Sequence, residues 1–395
     1  MKYIVLIMDG ASGNPIPDHR DGTALSLATK VHLNALAKKG TLGLTQNVPE
    51  GMEPSSAIAC LSVLGYDPRK SYSGRGPIEA LALGITLNPG EVAFRCNLVT
   101  LADGNMQSYC CGHITDGESH ALIATLNEKL GDDRVRFYPG VSYRHILVVK
   151  KGGDLLSAEC TPPHDISDKP ASAFRPKGTG ARFLDDLMRR SERILKNHPV
   201  NKARIAAGKL PATSAWLFWG GAALSDLSSF ESVYKVKACL TSGVDLLRGL
   251  ARLTGIEILD IKGVTGGLDT DYTAQIEGAL NALDTHDLVV VHVESPDEAG
   301  HMGSLPEKIK AIEETDAKMV SRILQYDKDA FRLLVLPDHP TPVSVKTHTS
   351  DPVPFLLYGP DIDWNSGAAY TEIEAESTGF IIPAGQNLMG KLIFS

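Results

Sequence analysis

The run Leu288 to Val291 is uninterrupted and rich in β-branched residues, and it turns polar at once into His292-Val-Glu-Ser-Pro-Asp297-Glu-Ala-Gly-His301. Its length and composition are those of a strand buried on both faces, which requires a parallel sheet with helices on either side. Pro296 and Gly300 fit a loop at the strand's end. Asp297 and His301, four residues apart, are close enough to chelate one cation. Alone, such a pair is weak evidence, since pairs like it arise by chance and often sit solvated on a surface. A second run, Phe331 to Leu336, ends in Pro337-Asp338-His339, and Lys346-Thr347-His348 follows nine residues later. A third, Tyr3 to Met8, runs directly into Asp9-Gly10. In doubly wound sheets the C-terminal ends of parallel strands share one crevice, where ligands bind.

At 395 residues the chain can bury a large core and divide into two domains. A hydrophobic fraction of 43% with 22% charged residues is that of an ordinary globular protein. The net charge of -8 argues against nucleic acid or an anionic membrane surface as partner. The stretch Lys2 to Met8 is too short for a signal-peptide core, and no segment approaches a membrane span. Six cysteines (Cys60, Cys96, Cys110, Cys111, Cys160, Cys239) show no Cys-x-x-Cys pair, so reduced thiols in a cytoplasmic protein are expected.

Leu25 to Lys39 has helical spacing and ends at Gly40. From Gly51 to Gly76 turn formers dominate, and a helix is expected to start after Pro54. Ser55 and Ser56 sit at that start. A serine there commonly caps the helix, but the same positive field favours an alkoxide and binds phosphate. Between residues 86 and 209 shorter runs alternate with helix-like segments: Val92 to Leu101, Gly117 to Leu130, then Val135 to Lys150 broken at Pro139-Gly140. This pattern predicts an inserted α+β domain with an antiparallel sheet, set into a discontinuous core of residues 1–85 and 210–395. The core pattern resumes with Ala215 to Trp219, Val233 to Leu240, a helix over Gly243 to Thr254 and a strand at Glu257 to Ile261. Ser304-Leu-Pro-Glu307 reads as a capping box opening a helix that returns the chain to the Phe331 strand. That βαβ unit predicts strands that are parallel and close together.

Seven candidates converge: Asp9, Ser56, Asp297, His301, Asp338, His339 and His348. Mixed carboxylate and imidazole ligands suit Mn²⁺, Zn²⁺ or Mg²⁺. Two such ions can polarise a phosphoryl group and stabilise an attacking oxygen, so the set reads as a phosphoryl-transfer site.

Six segments carry a resemblance: Leu6-Ile-Met-Asp-Gly10, Leu61-Ser-Val-Leu-Gly-Tyr-Asp-Pro68, Gly74-Arg-Gly-Pro-Ile-Glu79, His292 to His301, Leu336-Pro-Asp-His-Pro-Thr-Pro342 and Lys346-Thr-His-Thr-Ser-Asp-Pro-Val-Pro354. In order and over nearly the whole chain, they resemble the archaeal-type, cofactor-independent phosphoglycerate mutases of the alkaline phosphatase superfamily. The resemblance implies an alkaline-phosphatase-like α/β fold, doubly wound and mostly parallel, with the insert closing over substrate. It implies that Asp297, His301 and His348 hold one metal, while Asp9, Asp338, His339 and a nucleophilic serine hold the other. Alignment back from Leu61-Ser62 places that serine at Ser56 rather than Ser55. Two divalent ions are implied, Mn²⁺ first, with Zn²⁺, Co²⁺ or Mg²⁺ as alternatives, and no 2,3-bisphosphoglycerate. The implied reaction interconverts 3-phosphoglycerate and 2-phosphoglycerate through phosphoserine. Arg75, Arg95, Asn97, Arg144, His145, His164 and Arg204 are the candidates for gripping the phosphate and carboxylate, Arg75 and Arg95 foremost.

One departure stands out. Where the family usually reads Gly-Ser-Asp-Thr-Ala-His, this chain reads Ser55-Ser56-Ala57-Ile58-Ala59-Cys60. An acid and a histidine beside the nucleophile are replaced, which leaves open a phosphatase, or a phosphotransferase acting on another small phosphorylated metabolite or hydroxy amino acid. A metal-stabilised binding protein without activity is a third reading, but it would not require the serine together with a full ligand set.

Overall fold

Residues Ile4 through Met8 are all fully buried, as are Leu288 through Val291 and Leu333 through Leu336. Strands without a polar face can only lie inside a sheet covered on both sides. The computed structural model describes residues 1–19, 22–223, 227–364 and 369–395. The chain divides into two compact units, Met1–Tyr72 with Leu227–Ser395, and Ser73–Asp226.

The first unit opens with β1 (Lys2–Met8) and β2 (Thr41–Thr45). The second carries β3 (Glu91–Ala102), β4 (Asn105–Ser108), β5 (Val135–Tyr138), β6 (Arg144–Lys150) and β7 (Ser214–Ala222). The first then resumes with β8 (Ala238–Thr241), β9 (Glu257–Ile258), β10 (Leu288–Val293), β11 (Phe331–Leu336), β12 (Val353–Tyr358) and β13 (Ile381–Ile382). The order in the first sheet is β13-β2-β12-β11-β1-β10-β8-β9. It is mostly parallel, with β12 antiparallel to both β11 and β2. β10 and β11 are each parallel to β1, which lies between them, so the two strands are parallel and close together as expected, one strand apart. Ile7 is level with His292 on one side and Leu336 on the other, so the polar residues after each strand emerge at one edge.

The second unit has its own five-stranded antiparallel sheet, β4-β3-β6-β5 with β7 also paired to β3. Its core gathers Val92, Phe94, Trp216 and Phe218 against Leu122, Leu126, Leu184 and Met188 of two helices. The bounds expected for the insert, 86–209, are too narrow. The helix Arg75–Ala82 packs on β3 and β7, and β7 pairs with β3, so both belong to this unit rather than to the first. Ala215 to Trp219 was misassigned because a strand buried on both faces reads alike in either sheet.

Other elements differ where capping decides. Pro296 and Gly300 lie inside a helix, Ser295–Met302, and not a loop: Pro is tolerated in a first helical turn, and the αL residue Gly303 ends the element. The helix expected over Leu25 to Lys39 is two, Ala24–Leu27 and Val31–Ala37. The second has no cap of its own, and Asp316 accepts from His32 N–H at 3.1 Å and Leu33 N–H at 2.7 Å instead. Val233 to Leu240 splits into the end of the helix Phe230–Tyr234 and β8. Leu305–Glu314 is helical as expected, but Ser304 makes no side-chain cap hydrogen bond. Among the described residues no helix is long and apolar enough to cross a membrane.

Candidate metal and phosphoryl-transfer site

Asp9 follows β1, Asp297 and His301 lie on the helix after β10, and Asp338 and His339 follow β11. Two groups of candidate ligand atoms form there, Asp297 with His301 and His348, and Asp9 with Asp338 and His339, each within 4.8 Å. They adjoin. The His339 and His348 rings lie 4.0 Å apart between centroids, and Thr341 Oγ1 bonds Asp297 Oδ1 while lying 3.4 Å from His339 Nδ1. Gly10 makes this approach possible. At a φ of +59° it sits where an added Cβ would be 2.5 Å from Asp297 Oδ1.

The two serines separate cleanly. Ser55 is the N-cap of the helix Ser56–Val63, its hydroxyl accepting from Ile58 N–H. Ser56, at the first helical position, places Oγ 3.1 Å from His339 Nε2. His339 Nε2 is also 3.3 Å from Asp338 Oδ2 and 3.6 Å from Asp9 Oδ1.

The donors fit a divalent cation. His301 Nδ1 faces the Lys346 carbonyl at 3.0 Å, and His348 Nδ1 faces the Pro54 carbonyl at 3.3 Å. A carbonyl only accepts, so each neutral ring carries its hydrogen on Nδ1 and its lone pair on Nε2. Those two Nε2 atoms are 3.0 Å apart, and His301 Nε2 is 3.1 Å from Asp297 Oδ2. Lone pairs this close need a cation or a proton between them. Asp338 Oδ1 accepts from Gly10 N–H and His339 N–H, which turns Oδ2 toward His339. Asp9 Oδ1 and Glu294 Oε2 are buried with no hydrogen-bond partner.

The electrostatics agree. Burial, with Asp338 and Asp297 nearby, pushes the Asp9 carboxyl well above its usual range. Burial and Asp9 do the same to Glu294. Burial alone would raise Asp297 too, but hydrogen bonds from His301 and His348 and the charge of His339 hold it well below. The bond to Asp297 lifts His301 to about 9. Asp9, Asp297 and Asp338, each at most 3% exposed, are too costly as bare charges without a compensating cation.

In the second unit, Glu79 is the hub. Arg75 Nε donates to it at 2.6 Å and Arg95 also pairs with it, while Arg95 Nε donates to Asn97 Oδ1 at 3.1 Å. Burial opposes its charge, but Arg95, Arg75 and Arg144 hold its carboxyl below the usual range. Arg75 stacks 4.2 Å from the Trp219 centroid, and His164 is 5.4 Å from the same ring. Arg75, Arg95, Asn97, Arg144 and His164 thus form one neighbourhood with more arginine than carboxylate. Arg204 is a correction. Its guanidinium is spent on Glu118, the Cys111 carbonyl and the Leu210 carbonyl, so it braces the unit. His145 likewise is buried, accepting from Gly140 N–H.

Glu79, His292, Glu294, Thr341 and Cys60 were missed from sequence. Cys60, in the stretch that departs from the resemblance, donates its thiol to Asp338 Oδ2 at 3.4 Å. The signal for His292 and Glu294 was present: two polar residues at the end of an apolar strand must have partners.

A mostly parallel α/β sheet with acids and imidazoles at one edge, and an antiparallel unit inserted in its chain, defines an α/β protein with a metal-binding edge. Comparison narrows the class. The family model for 2,3-bisphosphoglycerate-independent phosphoglycerate mutase matches residues 37–201. A protein of that name from Methanosarcina acetivorans is 44% identical over 398 residues, covering 100% of both chains. Among solved structures, PH0037 protein from Pyrococcus horikoshii superposes with a TM-score of 0.83 at 26% identity, covering 99% of this chain and 96% of that one. The cofactor-independent phosphoglycerate mutase from Thermoplasma acidophilum gives 0.67 at 28% identity, covering 99% of each. The chain belongs to the 2,3-bisphosphoglycerate-independent phosphoglycerate mutase family, whose members are isomerases.

Proposed function

We propose that this protein interconverts 3-phosphoglycerate and 2-phosphoglycerate without 2,3-bisphosphoglycerate, using Ser56 as the group that carries the phosphoryl. The observation that supports this most directly is the Ser56 hydroxyl, at a helix N-terminus and 3.1 Å from His339, beside buried acids and imidazoles grouped closely enough to share cations. Asp297, His301 and His348 would hold one divalent ion, and Asp9, Ser56, Asp338 and His339 the other, Mn²⁺ first. Bound there, the ions would favour the serine alkoxide and offset charge on the phosphoryl oxygens. Ser56 Oγ bonds phosphorus as the ester to the 3-oxygen breaks. The retained glycerate then returns its 2-oxygen to phosphorus and frees the serine. The Arg75, Arg95, Arg144 and His164 neighbourhood is read as the grip on the substrate's anionic groups. Keeping water from the phosphoserine is what separates this outcome from hydrolysis. We also propose a cytoplasmic setting, in keeping with six unpaired cysteines, and a small phosphorylated metabolite rather than nucleic acid or membrane as partner.

An enolase-coupled assay run beside a free-phosphate assay tests the reading, with chelator and then with Mn²⁺ restored. Conversion without phosphate release, lost on chelation and regained with Mn²⁺, is expected. Phosphate release instead would make the altered Ala57 and Cys60 loop the mark of a phosphatase. In the same assays Ser56→Ala should lose transfer while keeping its metal content, and Ser55→Ala should keep both in large part. Normal turnover by Ser56→Ala would remove Ser56 from the mechanism.

A further inference from the structure

We infer that His292 is a positioning residue that aims the Asp9 carboxylate, and that Ser242 selects the tautomer which lets it do so. This rests on the two-ion reading above.

Asp9, His292 and Glu294 present atoms within 4.8 Å of one another, so on proximity alone they make a third candidate ion site. Hydrogen placement decides against that. His292 Nε2 lies 2.8 Å from Asp9 Oδ2, and both side chains are fully buried. An ionised Asp9 can only accept, so with no ion between the two Nε2 carries the hydrogen. The neutral ring then has its lone pair on Nδ1, which is 3.1 Å from Ser242 Oγ. Ser242 has a hydrogen to give, because its oxygen accepts from Val244 N–H at 3.0 Å and needs only a lone pair to do so. Every donor in the line has one acceptor: Val244 N–H to Ser242, Ser242 O–H to His292, His292 N–H to Asp9. A ring nitrogen that bears hydrogen does not ligate, so the trio is a support and not a third ion site.

The line also explains which oxygen of Asp9 is left. Oδ2 is taken by His292, and Oδ1 is buried without a hydrogen-bond partner on the side of Asp338 and His339. A carboxylate pinned at one oxygen cannot rotate the other away, and such outer contacts to a ligand are commonly worth about 10–100-fold in metal affinity. The parts come from separate elements. Asp9 follows β1, His292 lies in β10, and Ser242 follows β8, three neighbouring strands of one sheet. Gln275 Nε2 donates to the His292 carbonyl at 2.9 Å and holds the backbone that carries the ring.

The test is Mn²⁺ titration by calorimetry on the full chain, with the melting temperature of each Mn²⁺-free variant measured alongside. Wild type should take up two ions. His292→Ala should weaken one of them by about 10–100-fold and leave the other unchanged. His292→Gln should recover most of the loss, since its amide N–H can reach Asp9, and Ser242→Ala should show a smaller loss at the same ion. A purely structural role would lower the melting temperature and weaken both ions together, with no rescue by glutamine, and that pattern would overturn the proposal. So would unchanged affinity at both ions in a folded His292→Ala. Should that variant not fold, selective weakening in Ser242→Ala supports the proposal and unchanged affinity there defeats it. A wild-type chain that binds no Mn²⁺ would defeat the two-ion reading and this proposal with it, whereas two ions bound equally by wild type and variants defeat the proposal alone.

Discussion

Arg75 and Arg204 are both arginines of the second unit, yet their surroundings set them apart. Arg204 has a side chain only 2% exposed and three protein acceptors, while Arg75 keeps 30% exposure over a tryptophan face. Arg204→Ala should therefore cost about 2–3 kcal/mol of unfolding free energy, read as a lowered denaturant midpoint of the second unit, because charged and carbonyl partners are left without their donor. Its KM should change little. Arg75→Ala should do the reverse, raising KM about 10–100-fold through the loss of a charge-assisted contact, with a smaller effect on stability. No spacing in the sequence distinguishes the two, since burial of a guanidinium depends on backbone carbonyls that side-chain patterns do not show. His145 makes a similar point about acid stability. Burial, with His120 and Arg95 nearby, lowers its imidazole to about 3, whereas an unfolded histidine titrates near 6.5. Below about 6.5 the unfolded chain binds a proton that the folded chain refuses, so this stability is complete at neutral pH and is lost as pH falls toward 3. The loss should be about 2 kcal/mol between pH 7 and pH 5. Urea midpoints at the two values would check it, and His145→Gln should lack that share of the acid sensitivity.

At the scale of elements, the strands were legible and their surroundings less so. Apolar runs at β1, β10 and β11 marked the central sheet, and the acids at their ends marked its working edge. Partner order was not legible, because β10 and β11 look the same to the sequence whether they touch or flank a third strand. Nor were caps supplied from far away. The helix Val31–Ala37 begins only because Asp316 reaches its first N–H groups from a π-helical turn, Thr315–Val320, nearly three hundred residues on. Asp316→Ala should cost about 1–2 kcal/mol, as removal of an N-cap does, and hydrogen exchange should be fastest to rise at His32 and Leu33. If those amides stay protected, the cap is not what starts the helix. In the site, the seven candidates were legible because each follows an apolar strand or a compact motif. His292 is visible as a polar residue in an apolar strand, but the orienting role of His292 and Thr341 is not, because it lies in which hydrogen points where.

At the scale of the whole molecule, the three buried carboxylates Asp9, Asp297 and Asp338 all belong to the unit Met1–Tyr72 with Leu227–Ser395. The second unit has a core of its own around Phe94, Trp216 and Phe218. Ion binding should therefore stabilise one unit and not the other. At free Mn²⁺ about a thousandfold above its dissociation constant, linkage gives about 4 kcal/mol. For a unit of this size that is a shift on the order of 10 °C. Calorimetric scans with chelator and with Mn²⁺ should show two transitions, of which one moves by that amount and returns when the ion is restored. The acid sensitivity argued from His145 should fall on the other transition. Metal then acts as a label for the mostly parallel sheet, and the share of acid sensitivity that His145→Gln removes acts as one for the antiparallel sheet. A single transition that responds to both, or two that move together on chelation, would mean that the units do not unfold independently and that the ions stabilise the chain as a whole.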